Sequence, residues 1–201
     1  MSQAKNLYLL FGILMLGFWI SGAEAQEEGI SMKKKAVMII PAQGYRDEEL
    51  AQPKAILEAA GIEVKVASTT FEEVKGMLGG KVKPDILISD ISVANFDAII
   101  FVGGMGAEQY WNDPLAHQLA RSAFGDNKIV AAICIAPVTL ANAGILSGKR
   151  AAVSPSEGKL LIAKGAKYTG RPLEVDGNVI TAAGPAAATD FGDEIVKALR
   201  R

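Results

Sequence analysis

With 201 residues, half of them apolar, the chain is long enough for one domain with a full hydrophobic core and too apolar to be disordered. Its 21 Lys and Arg against 22 Asp and Glu leave a formal charge of −1, which gives no electrostatic footprint for nucleic acid. One cysteine excludes an intramolecular disulfide, and one cysteine with one histidine excludes a Cys/His zinc site. The acidic residues show no EF-hand spacing, so neither a metal nor another cofactor is expected.

The chain opens on Lys5 and an uncharged run from Leu7 to Ile20. That run suits the apolar region of a signal peptide better than a bilayer span. Ser21, Gly22, Ala23 and Ala25 then supply small residues at the A-x-A positions, which predicts cleavage between Ala25 and Gln26. Residues 1–25 are therefore read as a signal peptide, 26–33 as a linker and 34–201 as the folded domain. The expected location is periplasmic or secreted, without membrane contact once the signal is removed. Two rival readings stand beside this one: an uncleaved membrane anchor, or a cytoplasmic protein that truly starts at Met32. The basic run Lys33–Lys35 reads as a solvated flank.

Ala36 to Ile40 is a continuous apolar run, the mark of a strand covered on both faces. Residues 47–60 form a helical stripe through Leu50, Pro53, Ile56, Leu57 and Ala60, with Asp47 as the expected N-cap and Gly61 past its end. Ile62 to Ala67 is the second strand. Between Thr69 and Asp90 the pattern weakens; Gly79-Gly80 suggests a turn between two short strands, the second at Ile86–Ser89. Asp97 to Val102 is another buried strand and ends at Gly103-Gly104. A helix is expected over 113–124 from an Asp-Pro start, then a strand over 128–133 that runs straight into Cys134, then a short helix over 137–143. Residues 151–153 read as a short strand and 157–164 as a helix. Asp176-Gly177-Asn178 between two apolar runs is a hairpin signal, and residues 185–199 close the chain as a helix. Strands alternating with helices imply an α/β three-layer sandwich on a mostly parallel central sheet.

In open α/β sheets, sites form beyond the carboxyl ends of strands. Cys134 lies at such an end, just before a helix. A sharp strand-to-helix turn exposes the central side chain and aims backbone N–H groups at whatever it attacks. The positive end of the following helix is expected to favour the thiolate. The bland alternative, a buried cysteine that merely fills space, carries equal weight on pattern alone.

Four segments carry a resemblance. Ala131-Ala132-Ile133-Cys134-Ile135-Ala136-Pro137 resembles the nucleophile elbow of the ThiJ/PfpI superfamily, whose fold is flavodoxin-like and akin to class I glutamine amidotransferases. Phe101-Val102-Gly103-Gly104 resembles its strand with paired glycines. Gly44-Tyr45-Arg46-Asp47-Glu48-Glu49-Leu50 resembles its first loop and helix. Asp176 to Thr181, followed by Gly184-Pro185, resembles its C-terminal hairpin and last helix. The resemblance implies that Cys134 is the nucleophile or an oxidisable thiol, that Glu49 reaches it as a proton-holding carboxyl, and that the N–H groups of Gly104 and Ile135 form an oxyanion pocket. Glu48 competes with Glu49 for that role.

Two departures bear on the chemistry. Ile135 stands where one branch has a histidine after the cysteine, and Ser154 where another branch places one. The sole histidine, His117, reads as a helix-surface residue. A peptidase needs a base to activate its nucleophile and protonate the leaving amine, so a protease is disfavoured. The resemblance implies glyoxalase- or deglycase-like work on small α-oxoaldehydes or their adducts, in a homodimer. The competing expectations are a non-catalytic stress protein that uses oxidation of Cys134, and a binding domain whose elbow has lost its chemistry.

Overall fold

The computed structural model describes residues 33–201; the segment read as a signal peptide and most of the expected linker lie outside them. In chain order the elements are β1 (Lys35–Ile39), α1 (Asp47–Ala59), β2 (Glu63–Ser68), β3 (Val74–Lys75), β4 (Lys81–Val82), β5 (Ile86–Leu87), β6 (Ala98–Phe101), α2 (Pro114–Gly125), β7 (Ile129–Ile133), α3 (Pro137–Asn142), β8 (Arg150–Ala151), α4 (Gly158–Ala163), β9 (Lys167–Tyr168), β10 (Leu173–Asp176), β11 (Val179–Ala182) and α5 (Ala188–Leu199).

Seven strands form the central sheet in the order β10-β11-β7-β6-β1-β2-β5. All neighbours pair in parallel except the β10–β11 hairpin. The apolar strands follow from the layers on both faces. Val37, Ile39, Ile99, Phe101, Val130 and Ala132 pack on one side with Ala116, Leu119 and Ala120 of α2 and Val138 and Leu140 of α3. Met38, Ile40, Ile100, Ala131, Ile133 and Ile180 point the other way, against Leu50 and Leu57 of α1 and Phe191, Ile195 and Leu199 of α5. The alternation of successive side chains thus feeds two separate cores, which is why these strands are almost wholly apolar. The architecture is the three-layer α/β sandwich expected.

Where the structure departs from the sequence reading, local causes are visible. Arg46, not Asp47, is the N-cap residue of α1, and it caps through no side-chain hydrogen bond. The Asp47 carboxylate instead accepts from the N–H groups of Leu78 and Gly80, both at 2.7 Å. It therefore holds the turn of the β3–β4 hairpin. That hairpin does turn at Gly79-Gly80, but its second strand is Lys81–Val82. Residues 86–87 instead extend the central sheet beside β2. The short strand expected over 151–153 lies at 150–151 and pairs with β9, which two residues without pattern did not announce. Pro185–Ala187 forms a 3-10 turn ahead of α5 rather than its first turn.

The chain goes from β1 outward to β2 and β5, then returns to place β6 on the other side of β1. The strand order reverses between β1 and β6. Their carboxyl ends are where such a sheet opens a crevice.

Candidate active site

Three strand ends meet at that crevice. After β1, residues 40–46 lead into α1. After β6, the chain passes Gly103 and Gly104. After β7, it enters Cys134.

Cys134 has φ of +66°, a left-handed conformation that costs a side-chain-bearing residue about 1–2 kcal/mol. Its neighbours hold it there. Its N–H donates to the Ala182 carbonyl at 2.9 Å, and its carbonyl accepts from the Ser154 N–H at 2.8 Å. The next residue is fixed as well, because the Trp111 indole N–H donates to the Ile135 carbonyl at 3.1 Å. Pro137 then begins α3, where a missing N–H costs nothing. The strain predicts that Cys134→Gly will be more stable than Cys134→Ala by about 1 kcal/mol, read from urea unfolding midpoints. Equal midpoints would mean that the elbow stores no strain.

Glu49 lies in the first turn of α1 and is fully buried. Neither of its carboxyl oxygens makes a well-formed hydrogen bond, although Cys134 and the Gly103 backbone come near enough to favour its charge slightly. Gly103 explains how it reaches the sulfur. A Cβ on Gly103 would collide with Glu49 Oε2 on one side and Cys134 Cβ on the other, so the bare glycine backbone lets the two side chains converge. Gly104, at φ of +100°, is pressed against the backbone of Gly44, Tyr45 and Arg46. The Arg46 N–H donates to the Gly103 carbonyl at 3.0 Å, which locks the start of α1 onto the end of β6. Glu48, the alternative acid, points elsewhere: its carboxylate takes two hydrogen bonds from Arg46, at 2.9 and 3.1 Å.

Burial pushes the Glu49 carboxyl up to about 7, against the smaller opposing pull of Cys134 and Arg46. Burial also pushes the Cys134 thiol up to about 11, with the Glu49 charge adding to it. The N–H groups of Gly104 and Ile135 act on the sulfur in the opposite sense without overcoming desolvation. The expectation that the helix would favour a thiolate is therefore corrected. The sulfur is partly removed from water and faces a carboxyl, and the N-terminus of a six-residue helix does not offset both. At neutral pH the pair keeps at least one proton.

Cys134 and Glu49 open into a pocket of about 190 Å³ shared with Arg46, Met77, Gly104, Met105, Ile135 and Pro185. A wider cleft of about 390 Å³ lies near Lys34, Asp97 and Arg201, at the opposite ends of the strands, but it holds no nucleophile and no buried acid. Chemistry rather than size selects the smaller pocket. The structure thus brings together Cys134, Glu49, Gly104 and Ile135, and leaves out Glu48. His117 is not part of it: its ring nitrogen pairs with the Trp111 carbonyl at 2.8 Å. Ser154 touches the elbow only through its backbone, and its hydroxyl pairs with Ser156. Sequence reasoning missed Arg46, Met77, Met105 and Pro185 as lining residues. Arg46 stood inside a quoted motif, but nothing in the order of residues says that it lines the pocket of the sulfur.

This is an α/β protein with a nucleophile elbow whose cysteine is backed by a buried carboxyl. The pattern of the DJ-1/PfpI family matches residues 34–198, and the chain belongs to that family. It is 42% identical over 201 residues to an uncharacterised protein of Methanocaldococcus jannaschii, covering 98% of each chain. It is 31% identical over 164 residues to a deglycase of Pyrococcus horikoshii, covering 82% of this chain and 99% of that one. The solved structure of a ThiJ/PfpI domain protein from Brachyspira murdochii superimposes with a TM-score of 0.81 at 33% identity, covering 84% of this chain and 98% of that one. Other relatives carry the names deglycase and glutathione-independent glyoxalase.

Proposed function

We propose that Cys134 and Glu49 act together on small α-oxoaldehydes, or on the adducts these form with proteins, in a glyoxalase- or deglycase-like reaction. The observation that carries this reading is a fully buried, unpartnered carboxyl brought beside the one cysteine in an open pocket. A buried acid with no structural partner is costly unless it serves chemistry. Its pKa near neutrality suits a group that must both take and give a proton.

For methylglyoxal the steps balance without a further reactant except water. The sulfur bonds to the aldehyde carbon while the thiol proton passes to the Glu49 carboxylate. The carbonyl electron pair moves to oxygen, which the N–H groups of Gly104 and Ile135 receive; neither of them donates to a backbone carbonyl. Glu49 returns the proton to that oxygen. It then takes the hydrogen from the former aldehyde carbon and delivers it to the former ketone carbon. The hydroxyl proton on the former aldehyde oxygen passes to the former ketone oxygen, so the aldehyde carbon is oxidised and the ketone carbon reduced, leaving a thioester of lactate on Cys134. Water cleaves the thioester and restores the thiol. No step calls for a histidine, in keeping with a His117 turned to the Trp111 carbonyl. The proposal includes export by the N-terminal segment and a homodimer whose second copy covers the pocket mouth, where Met77 and Met105 are exposed.

The test is product identity. Incubation with methylglyoxal, followed by proton NMR, is expected to show lactate appearing as methylglyoxal is lost. Loss without lactate would mean simple trapping by side chains and would overturn the enzymatic reading.

A further inference from the structure

The pocket's charge distribution points to the kind of oxoaldehyde it takes. Its walls are mostly apolar, from Met77, Met105, Ile135 and Pro185, and its acid, Glu49, is fully buried. Arg46 is the one positive side chain among the lining residues. Its position is over-determined. The backbone is tied to Gly103, and the Glu48 carboxylate grips Nε and Nη2. The grip uses two of the five N–H donors of a guanidinium and fixes its plane. The remaining donors, including both on Nη1, have no partner among the described residues. A guanidinium held in place with open donors, on a residue that lines a small apolar pocket, matches a carboxylate or phosphate oxygen.

We infer that Arg46 selects substrates that carry an anionic group beyond the ketone carbon, so that the preferred substrate is an acidic α-oxoaldehyde or an acidic adduct rather than methylglyoxal itself. This rests on the proposed reaction at Cys134 and names the substrate class for that same site. The sulfur attacks the aldehyde carbon at the pocket floor, and the far end of a short chain projects toward Arg46. Glu48 sets the strength of the effect, because it offsets part of the guanidinium charge while orienting it.

The experiment compares dioxovalerate, an α-oxoaldehyde with a carboxylate two methylenes away, with its neutral methyl ester. The wild type is expected to favour the acid in kcat/KM by about tenfold or more, the range of a charge-assisted hydrogen bond. Arg46→Gln collapses that ratio through KM, Arg46→Lys restores part of it as a point charge without the fork, and Glu48→Gln shifts it further toward the acid. A second readout needs no turnover. Levulinate, which lacks the aldehyde, is expected to slow iodoacetamide modification of Cys134 in the wild type and not in Arg46→Gln, while methyl levulinate protects neither. Turnover of both esters and acids at equal efficiency, unchanged in Arg46→Gln, would overturn the inference and leave the reaction standing. Protection by levulinate that depends on Arg46, without turnover of either compound, would uphold the anion site and overturn the reaction. If Arg46→Gln changes the pH profile of Cys134 but neither the ratio nor the protection, Arg46 serves the sulfur alone and the inference fails.

Discussion

Cys134→Ser is expected to lower lactate formation from methylglyoxal by at least about 10³-fold while leaving the fold intact. The hydroxyl fits the space of the thiol, and the Ala182 and Ser154 hydrogen bonds that hold the elbow come from the backbone, so they survive the change. What is lost is the polarisable nucleophile. Glu49, with a pKa of about 7, lies below even the Cys134 thiol at about 11 and much further below a hydroxyl, whose proton is far harder to remove. Residual methylglyoxal loss in the variant should yield adducts and no lactate. Lactate formation retained within tenfold would remove Cys134 from the reaction.

Glu49→Gln produces the second large effect, and it appears in stability as well as in rate. The carboxyl titrates at about 7 in the folded protein against its ordinary 4.5. A group whose pKa is raised on folding contributes fully below its unfolded pKa, and the protein loses stability as pH rises from there through the folded value. Wild-type stability should therefore decline between pH 4.5 and about 7 from this residue alone, by about 3 kcal/mol. The neutral amide has no such slope. The difference in unfolding free energy between Glu49→Gln and wild type should thus move in favour of the variant by that amount from pH 4.5 to 8, measured by urea titration at each pH. A flat difference would mean that the carboxyl is not desolvated in solution. Activity moves the other way. The rate of lactate formation in the wild type should rise with pH through about 7 as the carboxylate becomes available. The variant should lose that inflection and about 10²–10⁴ of the rate. A residue that stabilises the fold less when charged, yet is needed charged for turnover, is what a site carrying its own cost predicts.

Much of this was legible in the sequence because it is written in local pattern. Strands such as Ala98–Phe101 and Ile129–Ile133 are buried on both faces, so they read as unbroken apolar runs. Cys134 was legible for the same reason: a buried strand that stops at a lone cysteine before Pro137 marks its own end. Glu49 was not legible from its own surroundings. Three acidic residues in a first helical turn look alike, and the resemblance favoured Glu49 while leaving Glu48 in competition; in the fold Arg46 holds Glu48 while Gly103 admits Glu49 beside the sulfur. Asp47 shows the limit of local rules. It has the right type and place for a cap, but two N–H groups more than thirty residues away outcompete the helix end for its carboxylate. The hairpin strands β3 and β4 are two residues each and carry no periodicity to read. The proton affinity of Cys134 was misjudged because the helix lies in the sequence while desolvation lies only in the packed structure.

The account depends on Cys134 and Glu49 sharing protons as one coupled, solvent-reachable unit. The most direct measurement is the second-order rate of iodoacetamide modification of Cys134 from pH 6 to 11, in the wild type and in Glu49→Gln. Since the Glu49 charge helps hold the thiol up near 11, the wild-type rate should climb only at high pH, and the variant's profile should shift to lower pH. Superimposable profiles, or a thiol that resists modification throughout, would show that the sulfur and the carboxyl do not sense each other and would contradict the account.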